Sequence, residues 1–424
     1  MPPGRRALAH AARALEEIFS ARGPADRVLS AYLRRHRALG ARERAQVADL
    51  VYTVLRRRRT LTLAAESGAP QALVRAALVR LFGVSARGLE GEAARTAARL
   101  RAADLAGVPL AVRAELPDWL WLRLAAAHGA EEAMRIARGL LEPAPLDLRV
   151  NLARIAREEV IAALGPGAEP TPWSPAGVRL PGRPAIRNHA LYRAGLVEVQ
   201  DEASQLVAWL VAPRRGERVA DFCAGAGGKT LALAMLMRGT GRVYAMDVSA
   251  VRLRELGPRL ARAGVSNVHP IALSGASDPR LTRLAESFDR VLVDAPCSGT
   301  GTLRRNPDLK WRYGQEDVAR LCATQSEILR AAARLVRPGG RLVYATCSLL
   351  EEENDAVVDA FAAAHPEFAE RSCRAILAGQ RIGLDTGMRL RLLPHRHGTD
   401  GFFAAVFERV RPGPVKLPTP QWTT

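Results

Sequence analysis

Apolar residues recur with a helical period from Ala7 to about Leu140. In RAQVADLVYTVLRRRR, Val47, Leu50, Val51, Val54 and Leu55 fall at i, i+3, i+4, i+7 and i+8, one stripe that a helix buries. The arginines that end it, Arg56 to Arg59, read either as a solvated terminus suited to the helix dipole or as a contact for a polyanion. LPDWLWLRLAAAHGAEEAMRIARGLL reads as two further helices separated at Gly129. Residues 1–140 therefore predict an all-α bundle. From 141 to 213 the pattern changes to short β-like runs among proline and glycine (LDLRVN, GVRLPGRPAIR, LVEVQD), with no helical stripe until EASQLVAWLV. This predicts a small α+β module. Residues 214–411 alternate apolar runs with helical patterns; the runs are RVADF (218–222), RVYAMD (242–247), NVHPIAL (267–273), RVLVDA (290–295), RLVYATC (341–347) and FFAAVFER (402–409). Such alternation predicts βαβ units and a parallel, doubly wound α/β sheet that takes its ligands at the carboxyl ends of the strands. Residues 412–424 read as a C-terminal tail.

Charge adds a partner to this outline. Lysine and arginine number 62 against 43 acidic residues, a formal net charge of +19, which points to a polyanion such as nucleic acid. Lys229, Lys310 and Lys416 are the only lysines; a GC-rich genome accounts for arginine in place of lysine, but not for the excess over acidic residues. The five cysteines, 223, 297, 322, 347 and 373, include no CxxC pair, so neither a disulfide framework nor a zinc knuckle is expected. No stretch has the length of a signal peptide core or a membrane span, which predicts a soluble, cytoplasmic chain.

DFCAGAGGKT (221–230) is close to a phosphate-binding P-loop, and RVLVD (290–294) to the Mg²⁺-binding strand of an ATPase. The P-loop spacing, however, needs a glycine where Cys223 stands. The alternative is an adenosine cofactor: Asp221, Gly225, Gly227 and Gly228 form a glycine-rich turn into a helix, and Asp247, ending the next strand, suits ribose hydroxyls. Two thiols join this edge. DAPCSGTGTLRRNPDLKWR places Asp294 and Cys297 at the end of the fourth run, and ATCS places Cys347 at the end of the fifth. Either cysteine alone reads as a small buried hydrophobe; two of them beside an Asp-x-Pro-Cys turn read as chemistry. A thiolate added to C6 of cytosine makes C5 nucleophilic toward a sulfonium methyl donor. A base presented out of its helix suits an arginine-rich surface.

DFCAGAGGKT, AMD, DAPCSGTGTLRRNPDLKW, YATCSLLEEEND and DGFFAAVFER together resemble the motif series of the Nop/Sun family of RNA (cytosine-C5) methyltransferases. With the helical region in front, the chain most resembles the family's bacterial 16S rRNA branch, which carries a NusB-like RNA-binding domain. The resemblance covers essentially the whole chain and is strongest from Gly195 to Arg409. It implies a Rossmann-like methyltransferase domain, with S-adenosylmethionine held by Cys223, Ala224, Gly225, Ala226, Gly227, Gly228 and Lys229, by Asp247 and Arg252, and by Asp294. It implies Cys347 as nucleophile, Cys297 as the thiol that promotes release, and Asp294 as the residue that holds the cytosine. It further implies RNA, and rRNA in particular, as partner of a monomer that needs no metal. Two departures stand out. Ser274 occupies the place of an acidic residue after the third strand, with Asp278 arriving late, and Ala226 replaces a frequent proline. His395 and His397 lack an evident third metal ligand and match a loop the family carries near its target base. A tRNA substrate, a P-loop ATPase and a non-catalytic RNA-binding assembly factor remain as rival readings.

Overall fold

A computed structural model describes residues 3–21, 23–82, 91–102, 107–182 and 184–411. The tail expected at 412–424 lies outside the described residues. The chain divides into two compact units: Met1–Ala144 with Ser298–Val318 and Leu393–Gly398, and the remainder.

The first unit is helical. Helix Ala41–Arg56 buries Val47, Leu50, Val51, Val54 and Leu55 against Leu15, Leu29, Tyr32 and Leu73, as the stripe predicts. Helices Asp118–His128 and Ala130–Leu141 part at Gly129, whose φ of 77° lies where a side chain is strained. The arginine run is not a solvated end. Arg56 donates to the Arg304 carbonyl (2.9 Å), Arg58 lies 4.2 Å over the Phe19 ring, and Arg59 pairs with Asp118 (2.6 Å). Segment Ser298–Val318 completes the unit by finishing helix ends. Trp311 Nε1 donates to Leu55 O (3.2 Å) and Lys310 Nζ to Arg56 O (2.8 Å), two carbonyls that the helix itself leaves unpaired. Fully buried Glu115 does the converse for helix Arg58–Ala65, accepting from the amides of Arg59 (2.8 Å) and Thr60 (3.3 Å). Burial pushes the Lys310 ammonium down and the Glu115 carboxyl up from their ordinary ranges. Segment Leu393–Gly398 lies on helix Ala130–Leu141, where Gly139 is required: a Cβ there would sit 2.9 Å from His395 N.

The second unit holds two sheets. Strands β1 (Leu146–Val150), β2 (Glu169–Pro170), β3 (Gly177–Leu180) and β4 (Val197–Val199) form an antiparallel sheet in the order 2-3-1-4. The large sheet contains β5 (Arg218–Asp221), β6 (Arg242–Asp247), β7 (Val268–Ala272), β8 (Phe288–Asp294), β9 (Val336–Thr346), β10 (Phe368–Arg371), β11 (Leu390–Leu392) and β12 (Phe402–Arg409), with the path 10-12-9-8-5-6-7 and β11 beside β12. Alternate residues face two cores: Val219, Val243, Leu292 and Val343 pack under helices Glu202–Val211 and Gly228–Leu236, while Ala220, Met246, Val293 and Tyr344 pack against Leu329 and Phe361. Strands β5 to β9 are parallel, but the expectation of a wholly parallel sheet needs correction. β12 runs antiparallel to β9, with Phe403 opposite Thr346, and β10 and β11 pair antiparallel to β12. FFAAVFER is apolar on both faces, so its pattern carries no direction.

Candidate active site

β5 and β8 are neighbours whose following connections run to opposite sides of the sheet, so the crevice at their carboxyl ends is the place where such folds bind ligands. Around it lie the ends of five strands: Asp221, Asp247, Leu273, Asp294 and Cys347.

The glycine turn after β5 is shaped by its own backbone. Ala224 N–H donates to Met246 O (2.9 Å) and Gly227 N–H to Ala224 O (2.8 Å). Gly227 has φ 85°, and a Cβ there would run into Leu256. Asp247 ties the turn to β6: its two carboxylate oxygens accept from Gly225 N–H and Ser249 N–H, each at 2.7 Å. Each oxygen keeps a lone pair for a ribose hydroxyl. Arg252 reaches back over Gly225 from helix Ala250–Arg254. Thus Cys223 to Lys229, Asp247 and Arg252 fall in one place, and their donor set fits an adenosine cofactor. Ala226 contributes its carbonyl, which accepts from Arg259 (2.6 Å). Burial, with Asp221 beside it, pushes the Cys223 thiol well above its usual range, so that residue is no thiolate source. Asp221 itself is fully buried; one oxygen accepts from Thr230 Oγ1 (2.7 Å) and the other has no partner, and desolvation raises its carboxyl to about 7.

Sequence reasoning missed what stands under this turn. Arg149 of β1, itself buried, donates to Gly228 O (2.7 Å) and to Gln200. Arg259 also pairs with Glu198 of β4 (3.0 Å), so the small sheet braces the glycine turn. Burial lowers the Arg149 guanidinium to about 10. Its only sequence signal was an arginine inside an apolar run, LDLRVN.

On the other side of the crevice, Asp294 ends β8 half-exposed, and buried Lys229 donates to it at 2.7 Å while lying 5.1 Å from the Phe402 ring centroid. Cys297 and Cys347 are half-buried thiols, neither in a disulfide, whose sulfurs lie 3.4 Å apart. Asp278, late in sequence, is turned back toward β7: it accepts from Ser274 N–H (2.8 Å) and pairs with Arg280 (2.6 Å), which together hold its carboxyl far below the usual range. The histidines belong to the first unit. His395 bonds Glu132 (3.0 Å) and His397 Nδ1 accepts from Leu393 N–H (2.9 Å). Among the described residues no three His, Cys, Asp or Glu side chains gather as a metal site, and no helix is long and apolar enough to cross a membrane.

This sheet, with its glycine turn tied to β6 by Asp247, is of the Rossmann-like kind found in methyltransferases that use S-adenosylmethionine, the class to which the family match assigns the chain. Residues 208–408 match the family described as 16S rRNA methyltransferase RsmB/F, and residues 116–187 match the ferredoxin-like domain of RsmF/B-like methyltransferases. The chain is 37% identical over 332 residues to the probable ribosomal RNA small subunit methyltransferase B of Bacillus subtilis (strain 168), spanning 75% of this chain and 74% of that protein. The crystal structure of PH0851 superposes with a TM-score of 0.78 at 26% identity, covering 96% of this chain and 99% of that one. A methyltransferase homolog protein from Pyrococcus horikoshii superposes at 0.60 with 31% identity, covering 71% and 98%. The chain belongs to the RsmB/F methyltransferase family.

Proposed function

We propose that the protein methylates C5 of a cytosine in 16S rRNA, with Cys347 as nucleophile, Cys297 as the release thiol and Asp294 as the group that holds the base. The observation that carries the reading is the pair of thiols 3.4 Å apart at the ends of β8 and β9, beside a carboxylate paired with Lys229. S-adenosylmethionine, held by residues 223–229, Asp247 and Arg252, supplies the sulfonium methyl that C5 accepts. The Cys347 thiolate adds to C6, opening the C5–C6 double bond and moving electron density to C5 and N3. Asp294 accepts from the exocyclic amine and fixes the ring over the thiol. Once C5 carries the methyl, its proton passes to water, the C–H electron pair re-forms the C5–C6 double bond and Cys347 leaves as the thiolate; Cys297 assists this elimination. These steps use two thiols and a carboxylate and need no metal. The helical region at 1–140 is assigned as a NusB-like RNA-binding domain, and the protein as a cytoplasmic monomer. RNA affinity then falls steeply between about 50 and 200 mM salt, because each neutralised phosphate releases counterions.

A denaturing gel with labelled RNA tests the roles. Cys297→Ala accumulates a covalent protein–RNA complex, Cys347→Ala and the double variant show none, and Cys347→Ala binds S-adenosylmethionine normally. Trapping by Cys347→Ala alone would reverse the two thiols. Bisulfite sequencing of RNA from a deletion strain names the nucleotide, and loss of a tRNA mark in place of a 16S mark would move the substrate.

A further inference from the structure

The two thiols approach each other beyond the point where the sheet can hold them. Pairing of β8 with β9 ends at Asp294 opposite Ala345, and the next backbone bond, Ala295 N–H to Ala345 O (2.9 Å), is the last before both chains turn into loops. Cys297 and Cys347 lie past it. A side-chain relay spans the gap instead. Gln325, on helix Gln315–Ala333 and fully buried, donates through Nε2 to Pro296 O (2.9 Å), the carbonyl before Cys297, and to Glu353 Oε1 (3.0 Å). The other oxygen of fully buried Glu353 accepts from Ser348 Oγ, the residue after Cys347, and its backbone carbonyl accepts from Tyr344 Oη (2.7 Å) on β9. Both partners of the Gln325 amide are acceptors, so only its NH₂ end satisfies them and the side chain has one orientation. Its Oε1 is buried without a partner, a cost that the two Nε2 bonds must offset.

We propose that Gln325 and Glu353 are positioning residues that set the distance between the two thiols, and through it the step in which the second thiol clears the first from the base. The inference rests on the roles proposed above for Cys347 and Cys297. Elimination needs the release thiol beside the C6–sulfur bond at the moment it breaks, and a displacement near 1 Å is enough to cost roughly 10²-fold in rate.

Gln325→Met keeps the volume and removes both bonds; Gln325→Glu places a carboxylate against a carbonyl and Glu353. Two readouts separate positioning from mere folding. The first needs no activity: phenylarsine oxide condenses with two adjacent thiols, forming two As–S bonds and releasing water. By intact mass the parent protein takes up one bridging arsenical that Cys297→Ala does not. Gln325→Met loses the bridge while iodoacetamide still alkylates each thiol singly. The second is the RNA gel, on which Gln325→Met accumulates covalent complex as Cys297→Ala does, with turnover down roughly 10²-fold and S-adenosylmethionine affinity unchanged. A bridged, fully active Gln325→Met with a trapping Cys297→Ala overturns the relay and leaves the thiol roles standing. Loss of the bridge in Gln325→Met, with no trapping in any variant, overturns the release role and with it the mechanistic part of this inference.

Discussion

Two buried lysines do opposite things in this protein, in a chain that uses arginine almost everywhere else. Lys310 gives its ammonium to the carbonyl that ends one helix, near Glu115, whose carboxyl is spent on the amides that begin the next. Lys229 gives its ammonium to the carboxylate of Asp294, which is 31% exposed at a strand end. In the first case the pair is enclosed by backbone groups and the Thr60 hydroxyl, and both residues are buried away from any crevice. In the second the partner keeps an open side facing the crevice. On this comparison Lys229 with Asp294, and not Lys310 with Glu115, is proposed as the functional pair. At either position an arginine would bring five N–H donors on a planar fork where lysine brings one compact ammonium.

Substitution should break the comparison cleanly. Lys229→Met is expected to lower methyl transfer by about 10³-fold, roughly 4 kcal/mol of transition-state stabilisation. Its melting temperature should hardly move, because Asp294 can hydrate once unpaired. Unfolding that tracks the activity loss would place Lys229 with Lys310 as a structural residue. Lys310→Arg should do the reverse, costing about 3 kcal/mol of stability by burying a charge with unpaired donors, read by urea denaturation, while binding of S-adenosylmethionine stays normal.

Asp221 sharpens the contrast as a third buried titratable group, beside the Lys229–Asp294 pair. Its carboxyl stands near 7 when folded against an ordinary 3.8. The folded state therefore holds a proton that the unfolded chain has lost. Stability from this group is complete below the unfolded value and is lost as pH rises through the folded one. Between about pH 5 and pH 7 the loss should be about 2 kcal/mol, and Asp221→Asn should flatten that slope. An unchanged slope would show Asp221 ionised throughout. The smallest effect is expected from Lys310→Met, about 1 kcal/mol, since methionine fills the same channel without a charge.

What could be read beforehand follows the same division. Strand ends were legible because an apolar run that stops on a polar residue marks the point where the sheet meets solvent; RVYAMD and FFAAVFER coincide with β6 and β12, and Asp247, Asp294 and Cys347 follow from such stops. The brace under the glycine turn was not legible. Arg149 and Gln200 act from a separate sheet, and nothing local in LDLRVN says which way an arginine points. Gln325 hides in the buried face of an amphipathic helix, where a single polar residue looks like an error in the stripe. β10 and β11, at four and three residues, are too short to show a period. Arg56 to Arg59 left two readings open, and the solvated one fails for Arg56, whose guanidinium donates to the carbonyl of Arg304, 248 residues later.

That late segment has a consequence for synthesis. The helices up to Ala144 leave the ribosome early, yet the groups that cap Leu55 and Arg56 arrive only with Trp311 and Lys310, after all of residues 145–297. At ~5–20 residues per second that interval is roughly 8–30 s. Through it the nascent bundle carries two open helix carbonyls and a Glu115 carboxyl without its cation. A ribosome stalled before residue 298 should thus display helices near Leu55 that exchange their amide hydrogens faster than the same helices in a chain stalled beyond residue 318.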